Sequence, residues 1–172
     1  MAKTLVIYYS RRGQNYVGGK IKELTKGNTE LVAEYIRDAV GADLFEVRTV
    51  SDYPEDYMAC TELAKEELKL GVRPVLREYL KDISAYDNIV VAGPCWWGTY
   101  PSAVFSQLEE LDFRGKKVFP VMTHEGSGEA RSRTDLKKLC SGAKVGRTLA
   151  VQGSMAPSAR DEVMRWAEKK LR

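Results

Sequence analysis

Five short apolar runs recur along the chain, at residues 4–9, 43–47, 88–93, 117–122 and 145–151. Several are near-continuous and rich in valine and isoleucine, as in Ile89-Val90-Val91. A strand wet on one face alternates apolar with polar residues, whereas an unbroken run suits a parallel sheet covered on both faces. The stretches between the runs carry helical periodicity. Leu31, Val32, Tyr35, Ile36 and Val40 share one face, and Gly41 supplies a C-terminal stop. Val104, Phe105, Leu108 and Leu111 repeat the pattern after Pro101, and Val163, Trp166, Ala167 and Leu171 repeat it near the C-terminal end. Residues 55–70 predict a longer, more charged helix. This alternation predicts one α/β domain over residues 1–172, a doubly wound five-stranded parallel sheet with right-handed crossovers. The irregular segment is 14–26. It holds its own Gly18-Gly19, which leaves both a flexible excursion and a small ordered flap open.

Composition narrows the picture without changing it. A chain of 172 residues suits one sizeable core, and 44% hydrophobic with 30% charged residues is an ordinary globular mix. A net charge of +3 is too small to imply a nucleic-acid partner. The one local concentration of basic residues is Arg11, Arg12, Lys20, Lys22 and Lys26. The three cysteines, Cys60, Cys95 and Cys140, have no C-x-x-C spacing, and His124 is the single histidine. Neither a disulfide framework nor a metal site is expected from that set. No apolar run reaches bilayer-crossing length, so no membrane partner is expected. The first strand begins at once and leaves no room for a signal peptide, so the expected compartment is the cytoplasm.

In a doubly wound sheet, ligands sit beyond the carboxyl ends of the strands, where chain order reverses. Three loops would meet there. The first is Ser10-Arg11-Arg12-Gly13, followed after the irregular segment by Gly27-Asn28-Thr29 at a helix start. The leading N–H groups of a helix lack intrahelical partners and face a positive dipole end, so this order builds an anion site. Ser10 and Thr29 add hydroxyls, and Asn28 adds an amide. Arg11 and Arg12 read equally as solvated charges or as phosphate partners. The second loop is Pro94-Cys95-Trp96-Trp97-Gly98-Thr99-Tyr100-Pro101. Adjacent tryptophans in a loop are costly unless something covers them, so at least one is expected to meet a planar ligand. The alternative is that both plug the base of the following helix. Gly98 would let backbone approach such a ligand, and Cys95 suits packing better than nucleophilic attack. The third loop is Thr123-His124-Glu125-Gly126-Ser127-Gly128, a tight turn with N–H donors; His124 could donate to a ligand or act as an acid.

A phosphate site at one loop and a flat-ring site at the other two describe flavin mononucleotide (FMN). The chain resembles the flavodoxin-like family, in the group with a YYS…GNT start, a P-x-WWGT-x-P loop and a TH-x-GSG loop. Here these are YYS at 8–10, GNT at 27–29, PCWWGTYP at 94–101 and THEGSG at 123–128. Tyr53-Pro54-Glu55-Asp56-Tyr57 and Arg73-Pro74 are also similar to that group. The resemblance implies a flavodoxin fold of strand order 2-1-3-4-5 and FMN as cofactor. It implies that Ser10, Gly27, Asn28 and Thr29 hold the phosphate, with Arg12 and Asn15 as further candidates from the split loop. Pro94, Cys95, Trp96, Trp97 and Gly98 would lie along the ring, and His124, Gly126, Ser127 and Gly128 along its other edge. What the resemblance implies is an FMN-binding redox protein, and the first reading of its activity is an NAD(P)H-dependent oxidoreductase acting on quinones or similar small acceptors, as a monomer or homodimer. The alternatives are a one-electron carrier between redox partner proteins and a flavin-free binding domain. Electron-shuttling flavodoxins are strongly acidic and this chain is mildly basic, which favours the enzyme.

Overall fold

The computed structural model describes residues 2–172. Strand β1 (Thr4–Tyr8) lies in the interior of the sheet and is buried along its whole length. Odd and even side chains of the central strands leave on opposite faces, and each face builds its own core. Leu5, Ile7, Ile89, Val91 and Met122 pack on one side with Tyr100, Phe105, Leu108 and Leu136. Val6, Tyr8, Val90, Ala92 and Val121 pack on the other with Val32, Ile36, Val163 and Ala167. Burying one such aliphatic side chain is worth about 1.5–3 kcal/mol, so both layers of helices are held by the unbroken runs.

The remaining elements follow in chain order. A hairpin of β2 (Gly13–Val17) and β3 (Lys20–Leu24) precedes α1 (Asn28–Val40) and β4 (Asp43–Glu46). Then come α2 (Tyr57–Leu70), β5 (Asn88–Pro94), α3 (Ser102–Leu108) and β6 (Lys117–His124). The chain closes with α4 (Ser132–Leu139), the short β7 (Lys144–Val145), β8 (Leu149–Gln152), a 3₁₀ turn (Gly153–Ser158) and α5 (Arg160–Leu171). The sheet order is β4-β1-β5-β6-β7, all parallel, with β8 also paired to β6. Counting β7 and β8 as one interrupted strand, this is the expected order 2-1-3-4-5.

Two expectations change in detail, and one left open is settled in favour of the small ordered flap. The last strand is not continuous over 145–151. It breaks after Val145, where Gly146 passes against Phe119, and resumes at Leu149. Segment 14–26 is an ordered antiparallel hairpin, with Val17 paired to Lys20 around Gly18-Gly19. Helix α3 ends at Leu108, so Leu111 packs on the core from beyond the helix.

The register brings the carboxyl ends into line. Tyr8 pairs with Ala92, Pro94 with Thr123, and His124 with Gln152. The ladder runs slightly past β1, through Tyr9 N–H to the Ala92 carbonyl at 3.1 Å. Tyr100 fastens the next loop beneath this rim. Its hydroxyl donates toward the carbonyls of Val91 and Val121, and its ring lies where a Cβ on Gly93 would sit.

Candidate functional site

The first turn of α1 is assembled from three separate segments. Gly27 can take no side chain, because a Cβ there would fall 2.2 Å from Ser10 Oγ and 2.6 Å from the Arg11 carbonyl. This close approach lets Ser10 Oγ accept the Glu30 N–H at 3.0 Å, capping the helix from the end of β1. The Thr29 hydroxyl is buried and lies 2.8 Å from the Thr123 hydroxyl at the end of β6. The Asn28 and Thr29 N–H groups remain at the mouth of the turn, where the helix dipole favours an anion.

The hairpin is held over this mouth by polar contacts. Arg11 donates from Nε to the Gln14 carbonyl at 2.7 Å, and from Nη2 to the carbonyls of Pro54 and Glu55, each at 2.9 Å. Gln14 Oε1 accepts the Tyr57 N–H at the start of α2, and Asn15 Nδ2 donates to the carbonyls of Arg11 and Gly13. At the tip, the Gly18 N–H donates to Glu125 Oε2 at 3.0 Å.

The tryptophan loop divides its two indoles. Trp96 stands edge-on to Tyr9 and Tyr53, with ring centroids 5.2 and 5.1 Å away. Burial pushes the phenols of both tyrosines up, and the Tyr53 hydroxyl donates a hydrogen bond to Glu67 Oε1. Trp96 and Thr99 exchange backbone hydrogen bonds around Trp97 (φ 57°) and Gly98 (φ 85°). Two successive positive φ values make this a tight primed turn, a conformation that glycine adopts freely and tryptophan does not. Arg131 secures the turn through its N–H to the Gly98 carbonyl at 2.9 Å and Nη2 to the Trp97 carbonyl at 3.3 Å. Thr99 donates to Asp135. The Trp97 indole stays 46% exposed, its N–H on the Thr61 carbonyl and the Lys65 ammonium over its ring.

These segments enclose two contiguous depressions. A polar cleft of about 90 Å³ lies before α1, between Ser10, Asn15, Asn28, Thr29, Thr123 and Glu125, with Pro94, Cys95, Trp96 and His124 completing its wall. An apolar cleft of about 400 Å³ continues from it between Tyr16, Tyr57, Met58, Ala64, Trp96 and Trp97. Both are open to solvent, and Arg11, Tyr16, Tyr57, Cys95 and Trp96 line both. The two linings suit a small molecule with one polar end and one flat apolar end.

The expected residues divide on this basis. Ser10, Asn15, Asn28, Thr29, Pro94, Cys95, Trp96 and His124 line the polar cleft, with Gly27 directly behind its floor, and Trp97 walls the apolar cleft. Arg12 lies on the far side of the first loop, paired with Glu30 and Glu46, each at 3.1 Å. Burial, with that acidic pair adding to it, pushes the Tyr8 phenol up to about 12. Gly98 faces Arg131, and Gly126, Ser127 and Gly128 form a rim that lines neither cleft. Nδ1 of His124 accepts the Gly126 N–H at 2.9 Å, and burial holds the imidazole below its ordinary value. This leaves a neutral ring with its proton on Nε2. Sequence reasoning assigned no role to Tyr16, Tyr57 or Glu125. Tyr57 had a readable signal, as the residue after the Asp56 cap of α2.

Comparison with known proteins agrees with this architecture. The flavodoxin family model Flavodoxin_4 matches residues 22–170. A candidate flavoprotein from Bacteroides uniformis aligns at 24% identity and TM-score 0.72, covering 96% of this chain and 97% of its own. One from Bacteroides eggerthii aligns at 26% identity and TM-score 0.69, covering 95% and 98%. A Lactobacillus acidophilus flavoprotein solved in complex with FMN aligns at 20% identity and TM-score 0.64, covering 94% and 98%. Among curated proteins, none matches this chain.

Proposed function

The chain belongs to the flavodoxin family, and on that premise we propose that it holds FMN along the two contiguous clefts and works as an NAD(P)H-dependent oxidoreductase on quinones or similar acceptors. The observation that carries this reading is the direct continuity of a donor-lined mouth at α1 with an aromatic-walled apolar cleft. The donor set fits a phosphate monoester. Asn28 and Thr29 offer backbone N–H groups, Asn28 an amide, and Ser10 a hydroxyl that already bridges loop and helix. The apolar cleft fits a flat ring, with Trp96 and Tyr57 at the boundary and Trp97 at the outer edge.

When bound, FMN supplies the hydride and electron chemistry, and the protein supplies position and electrostatics. Ser10, Asn28 and Thr29 would anchor the phosphate end, with charge-assisted hydrogen bonds worth about 1.5–3 kcal/mol each. Trp96, fixed by Tyr9 and Tyr53, would set the position of the ring, and Trp97 would exclude water from one face. His124, neutral and half-buried, would present Nε2–H to a ring-edge acceptor. The three free cysteines accord with action in a reducing cytoplasm.

Anaerobic addition of NADPH to the FMN-loaded protein tests the enzyme. Loss of the oxidised flavin absorbance within seconds, restored by a quinone, is the expected result. Absorbance unmoved by NADPH and NADH, yet bleached by dithionite, would assign the protein to one-electron carriage.

A further inference from the structure

One carboxylate shares the polar cleft with the donors proposed for the phosphate. Glu125 lines the polar cleft with Asn28 and Thr29, and its Oε1 is buried and accepts no hydrogen bond. Gly153 leaves the room for it: a Cβ on that glycine would lie 2.3 Å from Glu125 Oε1 and 2.6 Å from Asn28 Nδ2. The free oxygen therefore stands beside the first residue of α1, at the positive end of the helix. The other oxygen, Oε2, is engaged by the Gly18 N–H at the hairpin tip. Gly18 also rests near Ser154, so the tip touches the rim on the same side as Glu125.

We propose that Glu125 is a specificity-determining residue of the phosphate site: its charge opposes a phosphate dianion there, and the opposition is relieved by releasing the hairpin tip. The inference rests on the FMN reading of the clefts. Two like charges a few ångströms apart in a partly desolvated cleft repel by amounts that shift affinity tenfold or more. The repulsion acts on the phosphate alone. A flavin without phosphate reaches the aromatic cleft and leaves Glu125 and Gly18 joined. Discrimination for the phosphate is thus set by a balance of α1 donors against one carboxylate. Arg11 also lines the polar cleft and keeps its charge while its Nε and Nη2 hold carbonyls, so its attraction for the phosphate is common to the wild type and to the Glu125 variants.

The test titrates the wild type, Glu125→Gln and Glu125→Ala with FMN and with riboflavin, and follows amide exchange of residues 14–20 in each complex. The isosteric Gln variant is expected to bind FMN about tenfold tighter and riboflavin within about twofold of wild type. The wild-type hairpin should exchange faster with FMN than with riboflavin, and this difference should vanish in Glu125→Gln. In Glu125→Ala, which also loses the acceptor, the hairpin should exchange faster with both ligands. Equal affinity changes for the two flavins, or weaker FMN binding by Glu125→Gln, would overturn the proposal while leaving the FMN reading standing. Failure of wild type to bind either flavin would overturn both.

Discussion

The hydroxyls of Thr29 and Thr123 meet at 2.8 Å, joining the first turn of α1 to the last turn of the β6 ladder. Thr29 thus acts on the anion site through position as well as through its N–H. Each residue is buried, at 2% and 4% exposure, so a lost partner leaves an unpaired hydroxyl out of water.

Thr29→Ala and Thr123→Ala are each expected to destabilise the protein by about 1–2 kcal/mol. The double variant should cost less than the sum of the two, because one deletion already breaks the shared bond. Urea unfolding of the four proteins checks this. Additive losses would show that the two hydroxyls act independently.

The two tryptophans should separate cleanly. Trp96 is wedged between Tyr9 and Tyr53, so Trp96→Ala is expected to cost the ligand-free protein about 3–5 kcal/mol. Trp97 is 46% exposed in a strained turn, so Trp97→Ala should cost about 1 kcal/mol or less and weaken flavin binding instead. Thermal unfolding without ligand, paired with flavin titration, reads both. Similar stability losses for the two variants would contradict the division.

Arg11 should behave as the hairpin's anchor. Its three hydrogen bonds to the carbonyls of Gln14, Pro54 and Glu55 tie β2 to the entry of α2. Arg11→Ala is expected to expose residues 13–24 to limited proteolysis at least about tenfold faster, with the sheet core left intact. Unchanged cleavage would show that Gln14 and Gly18 suffice.

His124 gives a pH signature that one nucleus can report. Burial depresses its pKa below the ordinary imidazole value, so the unfolded chain binds its proton more readily than the folded one. Its contribution to stability is whole above about pH 6.5 and is lost as pH falls through and below that value. Because the chain has a single histidine, its ring protons titrate alone in an NMR spectrum. The midpoint is expected below about 6.5. A midpoint above it would place a hydrogen-bond acceptor or an anion at the ring.

The sheet was legible because its signal is redundant. Unbroken apolar runs at β1, β5 and β6 can be buried only in a two-sided parallel sheet, and the intervening helices leave few ways to order them. The hairpin was half-legible. Gly18-Gly19 between two alternating stretches is a turn signal, yet Gln14, Asn15, Lys20 and Lys22 carry no apolar stripe of their own. The break after Val145 depends on Gly146 meeting Phe119, a contact that periodicity does not encode. At the site, adjacency made Trp96 and Trp97 look equivalent. A turn with both φ values positive sends one indole inward and the other outward. Arg12 looked like a phosphate partner because Glu30 and Glu46, which hold it, are distant in sequence. Glu125 gave no signal at all, since one acid in a glycine-rich loop reads as solvated until Gly153 and Gly18 close on it.

Fluorescence titration of ligand-free protein with FMN and with riboflavin tests the central claim most directly. The account predicts quenching of FMN emission at one flavin per chain, because the ring enters a cleft walled by Trp96, Trp97 and Tyr57. It also predicts FMN binding weakened by Trp97→Ala. FMN emission equal to that of the free flavin, at protein concentrations well above the ligand, would contradict it.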